Sequence, residues 1–173
     1  MITNNTTFVF TGPESSAKSS LSKLFSKEFN LPLVQEFARE YLENLGRDYT
    51  LEDVLIMSKG QKEKEEAYLN QSSVLDTDLT VFSVWLEVKY GYKEKWIESH
   101  LKDNHNKVYL LCYPDLEWEE DPLRETNSKE ERESLFNRYE RLLIDKKAKY
   151  FIIKGQGQER IENARRVFET QNL

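Results

Sequence analysis

Apolar residues along the chain fall into short blocks separated by longer stretches with helical spacing. Thr7-Phe-Val-Phe-Thr11 is short and rich in β-branched and aromatic residues, which predicts a buried strand ending at Gly12. Leu21, Leu24, Phe25 and Phe29 then recur at helical spacing. Leu33-Val34 is a second strand candidate, and Ala38 to Leu45 a helix stopped by Gly46. Thr50 and Asp53 frame a longer helix as a capping box, with Asp in place of the usual Glu. Its charged second half, Lys59 to Glu66, reads as a solvated face. Ser73-Val74-Leu75 is a third strand candidate, followed by Asp76-Thr77-Asp78 and a helix over Leu79 to Tyr90. Lys107 to Cys112 and Tyr150 to Ile153 are the fourth and fifth strands. Between them Tyr113 to Asn127 has no steady period and reads as a mobile loop. Ser128 and Glu131 mark a second capping box before Leu135, Phe136, Tyr139, Leu142 and Leu143. A last helix carries Ile161, Ala164, Val167 and Phe168.

This alternation predicts a three-layer α/β fold: a parallel five-stranded sheet with helices on both faces. Chemistry in such sheets gathers at the carboxyl ends of the strands. Gly12 to Ser19, Glu36, Asp76, Asp78 and Asp115 all fall there.

The segment Gly12-Pro-Glu-Ser-Ser-Ala-Lys-Ser19 follows the phosphate-loop template G-x-x-x-x-G-K-[ST]. Gly12 allows the sharp turn, and backbone N–H groups of Glu14, Ser15, Ser16 and Ala17 can face phosphate oxygens at a helix N-terminus, with Ser20 beside them. Lys18 would neutralise the β- and γ-phosphates of ATP, and Ser19 would offer its hydroxyl to Mg²⁺. Ala17 stands where the template has glycine. It is the smallest possible intrusion, and a tolerated change is expected. The plainer alternative is a Ser-rich turn capping an ordinary helix.

In Asp76-Thr77-Asp78, one carboxylate can serve the metal and another the substrate hydroxyls; the alternative is an N-cap at a strand-to-helix junction. Glu36 can accept the proton of an attacking hydroxyl and Arg39 can orient substrate. A surface ion-pair set with Glu40 is equally consistent with that spacing. In the loop after the fourth strand, Arg124 and Arg132 can close over phosphates, and Trp118 can stack on a flat ring. Asp121 lies between Trp118 and Arg124 in sequence and is a further candidate for substrate contact.

The chain has 173 residues, enough for one domain, and a net charge of −6, which disfavours a nucleic-acid partner. Its single cysteine, Cys112, excludes an internal disulfide. The polar stretch Met1 to Thr7 has no signal-peptide core and no run reaches membrane-span length, so a cytoplasmic setting without membrane attachment is expected.

The motif series GPESS-x-KS, Glu36-Phe-Ala-Arg-Glu-Tyr41, Gly60-Gln61, Asp76-Thr-Asp78 and Trp118 to Arg124 resembles the ribosylnicotinamide kinase domain of NadR-type proteins across nearly the whole chain. The resemblance implies a P-loop kinase fold over residues 1–173, with a lid at about 113–132. It also implies transfer of the ATP γ-phosphoryl group to nicotinamide riboside. Lys18 and Ser19 would serve ATP and Mg²⁺, and Asp76 or Asp78 metal and substrate. Glu36, Arg39, Trp118 and Asp121 would face the substrate, and Arg124 would be a lid arginine. Gln35 replaces an aromatic residue found in some members, Pro122 stands where glycine is common, and a nucleotidyl transferase domain present in larger members does not fit this length. Another nucleoside acceptor, or a nucleotide sensor with little turnover, stays open.

Overall fold

A computed structural model describes residues 5–126 and 128–171. Five strands, β1 (Thr7–Thr11), β2 (Leu33–Val34), β3 (Ser73–Asp76), β4 (Lys107–Cys112) and β5 (Lys149–Ile153), form one sheet in the order β2-β3-β1-β4-β5. All four pairings are parallel. The helices are α1 (Lys18–Glu28), α2 (Phe37–Glu43), α3 (Leu51–Glu66), α4 (Leu79–Tyr90), α5 (Lys95–His100), α6 (Lys129–Asp145) and α7 (Gly157–Thr170).

The sheet alternation divides the core. Phe8, Phe10, Val74, Val108 and Leu110 pack on one face against Leu21 and Phe25 of α1 and Ala164, Val167 and Phe168 of α7. Val9, Leu75, Tyr109 and Leu111 point the other way, against Val84 of α4 and Phe136, Tyr139 and Leu143 of α6. A third cluster joins α2, α3, α4 and α5 through Ala38, Val54, Met57, Phe82, Leu86 and Ile97. Burying apolar surface on both faces is what a central parallel strand requires, and β1 is buried along all five residues.

Expectations for α2, for α3 and for the cap of α6 need correction. Helix α2 begins at Phe37 and stops at Glu43, because Gly46 already adopts a left-handed φ of 67°. The second half of α3 is solvated only in part: Lys59, Glu63 and Glu66 are exposed, but Gln61 is fully buried and Glu65 nearly so. Helix α5 lies in a stretch with no sequence signal. The Thr50–Asp53 capping box is present in full, whereas Ser128 accepts only the Glu131 N–H. Residues 1–4 of the polar N-terminal stretch, and Asn127 in the expected lid, lie outside the described residues. Among the described residues, no helix is long and apolar enough to cross a membrane.

Candidate active site

Strand β1 runs directly into the phosphate loop. Gly12 sits at φ 128°, and a Cβ there would lie 2.7 Å from the Cys112 carbonyl oxygen, so only glycine turns the chain this close to β4. The loop holds itself together from within. The Ser16 hydroxyl donates to the Pro13 carbonyl at 2.7 Å, and Lys18 Nζ donates to the same oxygen at 2.6 Å. Ser15 and Ala17 both take left-handed backbone, at φ 51° and 64°. Ala17 thus occupies a conformation for which the template's glycine is suited, at a local cost of roughly 1–2 kcal/mol.

A cavity of about 440 Å³ opens above this loop. Its wall includes every residue from Gly12 to Ser20, together with Glu36, Arg39 and Arg124. The structure therefore brings the loop, the end of β2 and the lid to one place. Glu36 is half-buried and follows β2; burial and the nearby Asp76 carboxylate raise its pKa, opposed by Lys18 and Arg39. Asp76, the last residue of β3, is 6 % exposed and lies within hydrogen-bonding reach of the Ser19 side chain. Burial raises its pKa too, with Ser19 and Lys18 acting the other way. Ser19 and Asp76 offer a hydroxyl and a carboxylate, the hard oxygen donors suited to Mg²⁺ completed by water and phosphate.

Asp78 does not share this site. Its side chain is fully buried and caps α4, accepting from the Thr80 N–H at 2.9 Å and hydroxyl at 2.7 Å. Its other oxygen accepts from Lys107 Nζ at 2.8 Å and the Tyr109 hydroxyl at 2.9 Å. With both oxygens engaged in the core, it has no face toward metal or substrate. The expected metal, substrate and catalytic roles at Asp78 are corrected to that of a cap. The Thr77 between the two aspartates takes φ 72°, an uncommon conformation for a β-branched residue, and so turns their side chains to different environments.

The segment after β4 folds over the loop. The Glu125 and Thr126 N–H groups donate to the Glu14 carboxylate at 3.1 and 2.9 Å, and the Glu119 N–H donates to Ser15 Oγ at 3.3 Å. Arg39 bonds Asp121 at 3.0 Å. Glu125 accepts from the Tyr49 hydroxyl at 2.7 Å and from Lys89 at 2.9 Å. Trp118 meets both Arg124 and Arg132, each guanidinium 5.9 Å from its ring centroid. Neither Trp118, Asp121 nor Arg132 belongs to the cavity wall. Arg132 is buried and donates to the Leu116 carbonyl at 3.1 Å, so it braces the lid rather than facing phosphate. Trp118 and Asp121 likewise hold the lid, through the arginine stack and the Arg39 ion pair.

The Gly60-Gln61 pair positions Glu36 from behind. A Cβ on Gly60 would lie 2.5 Å from the Phe37 ring, so its absence admits that ring. Gln61 Oε1 accepts from the Phe37 N–H at 2.8 Å, and its amide donates to the Thr77 carbonyl at 3.4 Å. One buried side chain thus ties the start of α2 to the end of β3. The far end of the cavity is lined by Tyr49, Trp85 and Lys89, which no sequence motif marked. Tyr49 and Trp85 meet edge-on at 5.0 Å, with Lys89 over the Tyr49 ring.

A glycine-initiated loop between the central strand and α1, under a lid, defines the P-loop class of α/β folds. The family profile described as an AAA domain matches residues 7–160, and the chain belongs to that family. Among solved structures it is similar to NadR protein in complex with NR (TM-score 0.75, 22 % identity, 98 % of this chain and 52 % of that one). It is also similar to NadR in complex with NAD and AMP-PNP (TM-score 0.71, 21 % identity, 98 % and 50 %). A third is deoxyadenosine kinase from M. mycoides (TM-score 0.63, 14 % identity, 95 % and 99 %). The chain spans about half the length of the NadR chains it matches. No curated protein sequence matches it.

Proposed function

We propose that the protein is a kinase that transfers the γ-phosphoryl group of ATP to a hydroxyl of a nucleoside, with nicotinamide riboside as the acceptor. The observation that carries this reading is the convergence of Glu36, Lys18 and Ser19 on one lidded cavity, with Asp76 behind Ser19. A phosphoryl acceptor needs a carboxylate facing the phosphate loop, and Glu36 is the group so placed. Its raised pKa suits a residue that takes a proton from the acceptor. The acceptor oxygen attacks the γ-phosphorus, ADP departs, and the hydroxyl proton passes to a Glu36 carboxylate oxygen. Lys18 and the loop N–H groups bear the developing charge, and Arg124 adds to it from the lid. Arg39 orients the acceptor beside Glu36. Ser19 and Asp76 would hold Mg²⁺, which supplies neutralisation of phosphate charge.

The similarity to NadR bound to NR and to AMP-PNP supports the choice of acceptor and donor. The strained Ala17 favours the second reading, a nucleotide sensor with little turnover. Product analysis with Mg·ATP and a panel of nucleosides, with Lys18→Ala as control, tests both. Nicotinamide mononucleotide formed at rates in the kinase range of ~1–100 s⁻¹ supports the first reading. Phosphorylation of a different nucleoside alone removes the acceptor assignment. Tight ATP binding with no transfer to any acceptor establishes the sensor.

A further inference from the structure

Arg160 of α7 does not line the cavity, yet it reaches the phosphate loop from behind. Its side chain is 3 % exposed. Nη2 donates to the Ser16 carbonyl and to the Tyr113 carbonyl, each at 2.8 Å. Nη1 donates to Asp115 Oδ1 at 2.6 Å and to the Gly155 carbonyl at 3.0 Å. Asp115 in turn accepts from the Gly155 N–H at 2.7 Å. One guanidinium therefore joins the phosphate loop, the exit of β4 and the turn between β5 and α7. A planar fork with several fixed donors is the group able to do this.

The Ser16 carbonyl belongs to the peptide that precedes Ala17, the residue in left-handed backbone where the template has glycine. In a planar trans peptide the C=O and N–H point opposite ways. We propose that Arg160 is a positioning residue. By holding the Ser16 carbonyl away from the cavity it turns the Ala17 N–H toward the phosphates and keeps Ala17 in a conformation that alanine does not favour alone. Glycine at 17 would hold the same backbone without help; alanine there makes the loop depend on the clamp. The packing of Ala17 against the α1–α7 core fixes the same residue from its side-chain face.

This inference rests on the nucleotide-binding reading above and leaves the acceptor aside. The test is titration of a fluorescent ATP analogue with Mg²⁺ into the native chain, Arg160→Met, Ala17→Gly and the double variant, each first shown to be folded by its thermal transition. Arg160→Met is expected to bind about tenfold more weakly, the scale of losing charge-assisted hydrogen bonds. Ala17→Gly is expected to recover most of that loss in the double variant. Arg160→Lys serves if the methionine variant does not fold. It keeps the charge beside Asp115 but lacks the fork, and the same weakening and the same recovery are expected. Unchanged affinity in the Arg160 variants, or an equal loss with and without Ala17→Gly, overturns the clamp and leaves Arg160 a purely structural residue. Failure of the native chain to bind the analogue overturns the nucleotide reading itself, and the clamp with it.

Discussion

Glu36 carries two opposed demands. Burial and the Asp76 carboxylate raise its pKa, so at neutral pH the folded protein holds a charge in an unfavourable place. A carboxylate with a raised folded-state pKa binds its proton more tightly when folded. Stability therefore increases as pH falls through that value, and the ionised form at pH 7 is the destabilising one. Glu36→Gln removes the charge. We expect it to lower kcat by about 10²–10⁴, the usual contribution of a general base, while raising the denaturation midpoint at pH 7. On the proposed kinase reading, kcat/KM of the native chain should fall on the acid side at a pH above the ordinary glutamate range, and the Gln variant should lack that limb. A pH–rate profile and urea unfolding of both proteins check these outcomes. The neighbouring aspartates show how far residue type alone informs. Asp76 ends β3 and Asp78 follows two residues on, yet one meets Ser19 and the other Lys107. The sequence pattern Asp-Thr-Asp does not encode the left-handed turn at Thr77 that separates them, so metal ligand and N-cap were indistinguishable before the fold was known.

At the scale of elements, sequence was most informative where burial is periodic and ends are capped. Helix α4 and strand β4 occupy the residues expected of them, because Leu79, Phe82 and Leu86, and the run from Val108 to Cys112, are buried. Helix α5 is six residues long and buries Ile97 alone, too little to leave a period. The error in α3 has a specific cause. Gln61 and Glu65 read as solvent-facing by type, but tertiary contacts with Phe37 and Lys107 take them inside. Two predictions follow from α3. Thr50→Ala removes the hydroxyl that accepts the Asp53 N–H and should cost about 1 kcal/mol in urea unfolding. Gly60→Ala should cost more, about 1–3 kcal/mol for overpacking the Phe37 ring. Because Phe37 follows Glu36, Gly60→Ala should also depress kcat, whereas Thr50→Ala leaves it unchanged. Matched unfolding and rate measurements separate the two.

For the molecule as a whole, the contacts that hold the lid include, among the described residues, Glu14 and Ser15 on the phosphate loop, Arg39 on α2, and the Tyr49–Lys89 pair. Arg39 and Lys89 are partly exposed, so their ion pairs contribute little each, roughly 0–1 kcal/mol and less in salt. Their value lies in setting where the lid rests. A lid that excludes water protects the γ-phosphoryl group from hydrolysis. Glu125→Ala removes the Tyr49 and Lys89 contacts together. We expect phosphoryl transfer to slow and ATP hydrolysis without acceptor to rise, read as the ratio of ADP to phosphorylated product. An unchanged ratio would show that this anchor does not control water entry. From the residues themselves the lid was legible as a region lacking periodicity, and its bounds came from the family resemblance. Its anchors are long-range pairs such as Glu14 with Thr126, and no local pattern announces them.

The single thiol gives the sheet a reporter. Cys112 is fully buried at the end of β4, against the turn at Gly12, and burial pushes its pKa up to about 11. In the native state it is neither exposed nor ionised, so an alkylating reagent cannot reach it until β4 and the turn above it part. Its labelling rate therefore measures how often the molecule breathes at the point where phosphate is to be held. A ligand gripping that loop should slow alkylation in proportion to its occupancy, with no dye, tag or turnover required.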